Sequence, residues 1–329
     1  MAPVLKAGMC PCLSKELCES LWRQNVKTVE SFVSADLKIL SLRDGLDYKE
    51  LCTLKHALLL QFAAFPVNGV DLYDHMLSYL AILATGCPGL DRLLDGGIFT
   101  GEITEVCGST ATGKTQLCMS IAANVAARNG QNTFYISTNA GFFSDRLLQI
   151  IASKFTSDEG SVDESLVTAA LARVRCQHAF ELSDLMKTLH EVSNQLTSQV
   201  DSFFGSLKVI VVDSVTAVLS YLLSAQHAEG HRSMMELARL LKSLCAENGV
   251  AVVVVNTTLQ SKLVHVKPSL GYSWAHVPNT RLLLTLSRCP DIMQGGPVYR
   301  HASLLKSTRQ ATGQSVDYTI SAAGIQDVT

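Results

Sequence analysis

Apolar residues recur along the chain with two different periods, and the change falls near residue 81. From residue 14 to about 62 the spacing is helical. Leu17, Leu21 and Trp22 fall on one face of a segment that Ser14 can cap, and Tyr48, Leu51, Leu54, Leu58 and Leu59 line a later one. Thr28 or Ser34 can cap short helices between them, and Gly45-Leu46 breaks the pattern. Residues 1–62 are therefore predicted to form a small all-α N-terminal domain. Phe65-Pro66-Val67-Asn68-Gly69 cannot continue a helix, because proline lacks a donor and disfavours helical geometry before it. Residues 63–80 are expected to be a linker, with room for a short helix at 72–77.

From residue 81 to 329 β-like runs alternate with helical ones. The β-like runs are 103–107, 133–137, 208–213, 250–256 and 280–285, and helices are expected at 114–129, 145–154 and 233–247. Unbroken Val/Ile runs mean strands buried on both faces, hence a mostly parallel sheet with helices on both sides. This is an α/β nucleotide-binding architecture.

Composition narrows the function classes. The chain has 329 residues, 47% hydrophobic and 17% charged, which excludes disorder as its main state. Basic and acidic side chains number 27 and 29, so a nucleic-acid contact must be local and not driven by bulk charge. No apolar run reaches the roughly 18 residues of a membrane helix. The start lacks a secretory apolar stretch and has Ala2, not glycine, so a soluble intracellular protein is expected. The ten cysteines read as small buried hydrophobes of a reducing compartment. Cys10, Cys12 and Cys18 lack the spacing of a zinc site.

The strongest chemical signal is Gly108-Ser109-Thr110-Ala111-Thr112-Gly113-Lys114-Thr115, which fits the phosphate-loop pattern after a β run and opens a helix. Its glycines let successive amides point at phosphate oxygens, Lys114 adds a point charge, and the Thr115 hydroxyl can ligate Mg²⁺. Asp213 ends an apolar strand. A carboxylate there can hold Mg²⁺ through water, or can simply cap the next helix.

These motifs carry a resemblance. Thr85-Gly86, Gly89-Leu90-Asp91, Gly96-Gly97-Ile98, Thr100-Gly101-Glu102-Ile103-Thr104-Glu105, Gly113-Lys114-Thr115-Gln116, the run from Val211 to Ala217 and the run from Gly249 to Asn256 resemble the RecA-type strand-exchange recombinases of eukaryotes and archaea. Within that family the chain most resembles the divergent paralogues, the D-type branch in particular. The resemblance implies a RecA-like ATPase core binding ATP and Mg²⁺, assembly with other recombinase paralogues, single-stranded or branched DNA as a shared partner, and a nuclear location with the cytoplasm as a second compartment. It further implies that Arg146 stacks on adenine, although a surface-helix arginine reads the same way.

The departures bear on activity. Active members end the strand after the loop helix in Asp-Thr-Glu-Gly, the glutamate orienting the attacking water. Here Ser137-Thr138-Asn139-Ala140 places the neutral amide of Asn139 there. Such groups contribute about 10²–10⁴ in rate, so weak or absent hydrolysis is expected. Asn256 is kept at the outer-phosphate sensor, while Thr257 replaces a glutamine. Two segments match the family's DNA loops: about 220–233, with His227, His231 and Arg232, and about 258–270, with Lys262, His265 and Lys267. So few cations predict weak DNA binding. Asp44-Gly45-Leu46-Asp47-Tyr48-Lys49 resembles a helix–hairpin–helix turn in an apolar setting, favouring protein docking. Phe62 or Phe65 could anchor on a neighbouring core.

Overall fold

The computed structural model describes residues 3–62, 66–128, 130–157, 160–198, 201–225, 227–259, 267–286 and 298–328. Two compact units emerge, Met1–His75 and Met76–Thr329.

The first unit is all helix, with segments Lys15–Arg23, Val29–Val33, Leu37–Asp44 and Tyr48–Phe62. Each start has a local cause. Ser14 Oγ accepts from Leu17 N at 3.1 Å, Thr28 and Ser31 satisfy each other's backbone in a capping box, and Asp36 accepts from Lys38 N. Ser34 closes the second helix, its N–H donating to Glu30 O, and does not open another. Leu17, Leu21, Phe32, Leu51, Leu54 and Leu58 make the core, joined by Cys10 and Cys18. Trp22 remains 43% exposed, because five residues of helix turn it away from the Leu17 stripe. Among the described residues no cluster of three metal-ligating side chains occurs, at these cysteines or elsewhere. Much of the expected linker is the helix Gly69–Tyr79, longer than the 72–77 turn; Asn68 Oδ1 accepts from Val70 N and Asp71 N at its start. Phe62 is partly exposed, and Phe65 lies outside the described residues.

Among the described residues the second unit carries twelve strands: β1 Ile82–Leu83, β2 Ile98–Phe99, β3 Ile103–Gly108, β4 Asn132–Ser137, β5 Val174–His178, β6 Leu207–Asp213, β7 Ala251–Leu259, β8 Lys267–Pro268, β9 Thr280–Leu286, β10 Arg300–Lys306, β11 Ser315–Ser321 and β12 Gly324–Asp327. The main sheet runs β12-β11-β10-β9-β3-β7-β6-β4-β5. From β9 to β5 it is parallel; β10, β11 and β12 add an antiparallel edge. Val209, Val211 and Val253 pack on the face covered by the helix Lys114–Arg128, and Ile210, Val212, Val252 and Val254 on the face covered by the helix His227–Asn248. The two-residue alternation thus fills both layers, as continuous apolar runs require. No helix among the described residues is long and apolar enough to cross a membrane.

The ends of this unit meet. The Asp327 carboxylate of β12 accepts from Gly89 N at 2.8 Å and from the Cys87 thiol at 2.8 Å. Burial and the neighbouring carboxylate push that thiol up to about 12, so it stays a protonated donor.

One expectation is overturned. Residues 220–233 are not a loop: the helix Val215–Ala225 and the helix His227–Asn248, which begins six residues before residue 233, occupy nearly all of them. Leu219, Met234 and Leu237 bury on one side of this pair, and that apolar periodicity holds the segment helical despite its polar residues.

Leu54→Ala should cost the N-terminal unit about 2–5 kcal/mol, because its site is fully buried and cannot collapse completely. A lowered urea midpoint in the full chain, followed by helical circular dichroism, is the expected result.

Candidate functional site

Parallel pairing brings four strand ends to one edge. Gly108 of β3 stands beside Thr257 of β7, and Ser137 of β4 beside Asp213 of β6. In such sheets the crevice beyond the carboxyl ends is where ligands sit. Here it is a cavity of about 400 Å³ lined by the 110–116 loop, Asn139, Asp213, Thr257, Arg300 and Ile320, among others.

The loop's shape depends on two glycines. A Cβ at Gly108 would stand 2.5 Å from Leu284 O, and Gly113 has φ +101° with Ile320 Cδ1 2.7 Å from where its Cβ would be. The Thr112 hydroxyl donates to Ser109 O at 2.9 Å, and the Tyr318 hydroxyl of β11 donates to Thr112 O at 3.0 Å. Lys114 Nζ donates to Gly108 O at 2.8 Å and Ser109 O at 2.6 Å. Burial pushes the Lys114 ammonium down, opposed by the charge of Asp213.

Asp213 is 1% exposed. Burial pushes its carboxyl up, while bonds from Thr115 and Tyr135 and the charge of Lys114 pull it back. The Tyr135 hydroxyl donates to Asp213 Oδ2 at 2.8 Å. Lys114, Thr115 and Asp213 are thus brought together. Asn139 lines the same cavity from an exposed strand end, and its Oδ1 accepts from Gly141 N at 3.0 Å, forming a small turn.

Arg146 is held elsewhere. Its Nε donates to Gln116 Oε1 at 2.8 Å, and its other nitrogens donate to Ser321 O at 2.6 Å and Ala322 O at 2.9 Å. It fastens the turn between β11 and β12 beside the loop helix.

Asn256 is fully committed and fully buried. Its Nδ2 donates to Glu105 Oε1 at 2.7 Å, and its Oδ1 accepts from the Thr216 and Ser269 hydroxyls, each at 2.8 Å. Thr257 is the neighbour that faces the cavity, and its hydroxyl lies 3.1 Å from Ser269 Oγ. The hub of this network is Glu105, which also accepts from Trp274 Nε1 at 3.0 Å and pairs with Arg281. Glu105 escaped the sequence reading, although a signal existed: it is the one acid inside the both-face-buried run 103–107, where an unpaired charge would be prohibitive.

Of the residues assigned to DNA loops, His231 and Arg232 are exposed on the helix His227–Asn248. Lys262 and His265 lie outside the described residues, and the Lys267 backbone pairs with Leu259. The Gly45 turn does join two helices, with φ +65°.

The profile of the Rad51 family matches residues 77–328, and that of the RAD51D N-terminal domain matches residues 1–61. The chain belongs to the Rad51 family, on its RAD51D branch. It is 42% identical over 311 residues to the DNA repair protein RAD51 homolog 4 of Bos taurus, covering 94% of this chain and 93% of that one. The Mus musculus counterpart is 40% identical over 325 residues, covering 98% and 96%. The DNA repair and recombination protein RadB of Pyrococcus abyssi is 34% identical over 177 residues, covering 53% and 66%. Membership in the Rad51 family implies nucleotide binding with a metal ion, and a setting of DNA and paralogue partners.

Removing the hub should be costly. Glu105→Ala leaves the Arg281 guanidinium buried without its carboxylate, and about 3–5 kcal/mol of stability should be lost. Urea unfolding of the full chain measures it.

Proposed function

We propose that this protein is an ATP-binding accessory subunit of homologous-recombination DNA repair. It assembles with other recombinase paralogues and supports strand-exchange filaments on single-stranded DNA, with little or no ATP hydrolysis of its own. The observation that carries this reading is the joint geometry of one cavity: Lys114, Thr115 and Asp213 gathered behind the 108–115 loop, with an amide at Asn139 where a water-orienting carboxylate would stand. The relatives named DNA repair protein RAD51 homolog 4 support this reading.

The residues suit a nucleoside triphosphate with Mg²⁺. The amides of residues 109–115 and the start of the helix Lys114–Arg128 offer donors and a positive dipole end to phosphate oxygens. Thr115 and Asp213 offer oxygen ligands to the cation, whose charge neutralises the phosphates. A cation there also offsets the burial that now disfavours the Asp213 carboxylate. Arg146 would act by holding the 321–322 turn against the nucleotide's base end, with its guanidinium edge already engaged. Asn139 can hold a water but takes no proton from it at neutral pH. DNA contact is thin and shared with partners: Arg232 is one exposed cation on a helix, and Lys262 and Lys267 add at most a shallow salt dependence. The nucleus is the compartment this role requires.

Nucleotide binding and phosphate release, measured on one sample with single-stranded DNA present, test the reading. Binding without release is expected, and Lys114→Ala should remove the binding; wild-type affinity in that variant would overturn the site. Asn139→Glu should raise phosphate release by about 10²-fold or more. Brisk release by the unaltered chain would overturn the accessory role.

A further inference from the structure

Arg300 opens β10, and its side chain forms part of the cavity wall beside Gly113 of the loop. The space a Cβ at Gly113 would fill lies 3.4 Å from Arg300 Cδ and 3.6 Å from its Nε. That Nε is buried and has no hydrogen-bond partner among the described residues. Its Nη1 donates to Val298 O at 3.2 Å, and among the described residues no carboxylate lies within ion-pair distance of the guanidinium. Two other arginines bury unpartnered nitrogens, but each has an acid: Arg281 has Glu105, and Arg309 has Glu102. Arg300 alone of the three brings a half-buried positive charge and a spare donor to the rim of a cavity without a counter-ion. Its position is fixed by strand pairing with Leu286 on β9 and with Tyr318 on β11, and Tyr318 itself is bonded to the loop at Thr112.

Buried donors of native structures find acceptors, and a charged one finds an anion. We propose that Arg300 is a second cationic clamp on the phosphates of a bound nucleotide, reaching from the C-terminal strands to the loop that Lys114 serves from the other side. This rests on the nucleotide reading of the cavity. Guanidinium suits the task, since its fixed fork of donors matches phosphoryl oxygens and keeps its charge at any physiological pH. The two cations hold different parts of the loop: Lys114 bonds Gly108 O and Ser109 O from the helix start, and Arg300 lies against Gly113.

Titration calorimetry with ATP and with ADP, on the full-length wild type, Arg300→Ala, Arg300→Lys and Lys114→Ala, tests the proposal at two salt concentrations. Arg300→Ala should weaken both nucleotides by about tenfold, flatten the salt dependence and leave the thermal midpoint unchanged. Arg300→Lys should recover part of the affinity, because it restores charge without the fork. Unchanged affinity and salt dependence in Arg300→Ala, beside a wild type that binds and a Lys114→Ala that does not, overturns the clamp while leaving the site intact. Weakened binding with a lowered midpoint and no recovery by lysine also overturns it, since that pattern marks a structural role. A wild type that binds neither nucleotide overturns the site and the clamp together.

Discussion

A carboxylate in the centre of a dry sheet must be surrounded by donors, and Glu105 sets the terms for everything near it. Arg281 on β9, Asn256 on β7 and Trp274 on the short helix Gly271–Ala275 all converge on its two oxygens. Those partners fix the lateral order β9-β3-β7 chemically, beyond what backbone pairing alone requires. Because β3 also runs into the 108–115 loop, the hub anchors the strand whose end forms the candidate site. Such a buried pair adds little net stability over an apolar substitute, yet breaking one half of it is severe. Its contribution is therefore to specify one arrangement.

The same network decides what the residues behind the cavity are free to do. Asn256 spends every polar atom on Glu105, Thr216 and Ser269, so its amide is a structural tie. Thr257 is the side chain left facing the cavity, and its hydroxyl lies 3.1 Å from that of Ser269, just after β8, which pairs with β7. Replacing a long amide by a short hydroxyl shortens the reach from that strand by about two bonds.

Much of this was legible in the chain. The Val/Ile runs at 208–213 and 250–256 announced parallel strands, since only burial on both faces tolerates them, and the loop motif fell between a strand and a helix as its chemistry demands. What escaped has separate causes. β11 alternates Val316, Tyr318 and Ile320 with polar residues, a two-residue period that the reading of the chain passed over, so neither Arg300 nor Tyr318 was singled out. The resemblance makes residues 220–233 a loop, yet the tertiary burial of Leu219, Met234 and Leu237 holds them helical. Arg146 is expected from the resemblance to stack on a base, but its bonds to Ser321 and Ala322 depend on a turn about 175 positions downstream, which local sequence cannot reveal.

That distance has a consequence for how the molecule is made. Gly89 and Cys87, at the beginning of the second unit, find their acceptor in Asp327, and the 108–115 loop is fastened by Tyr318. Synthesis delivers the early partners long before the late ones. The second unit of this protein therefore cannot close until β11 and β12 have been made: its first-made elements wait, partly satisfied, which lengthens the interval in which chaperones have something to hold.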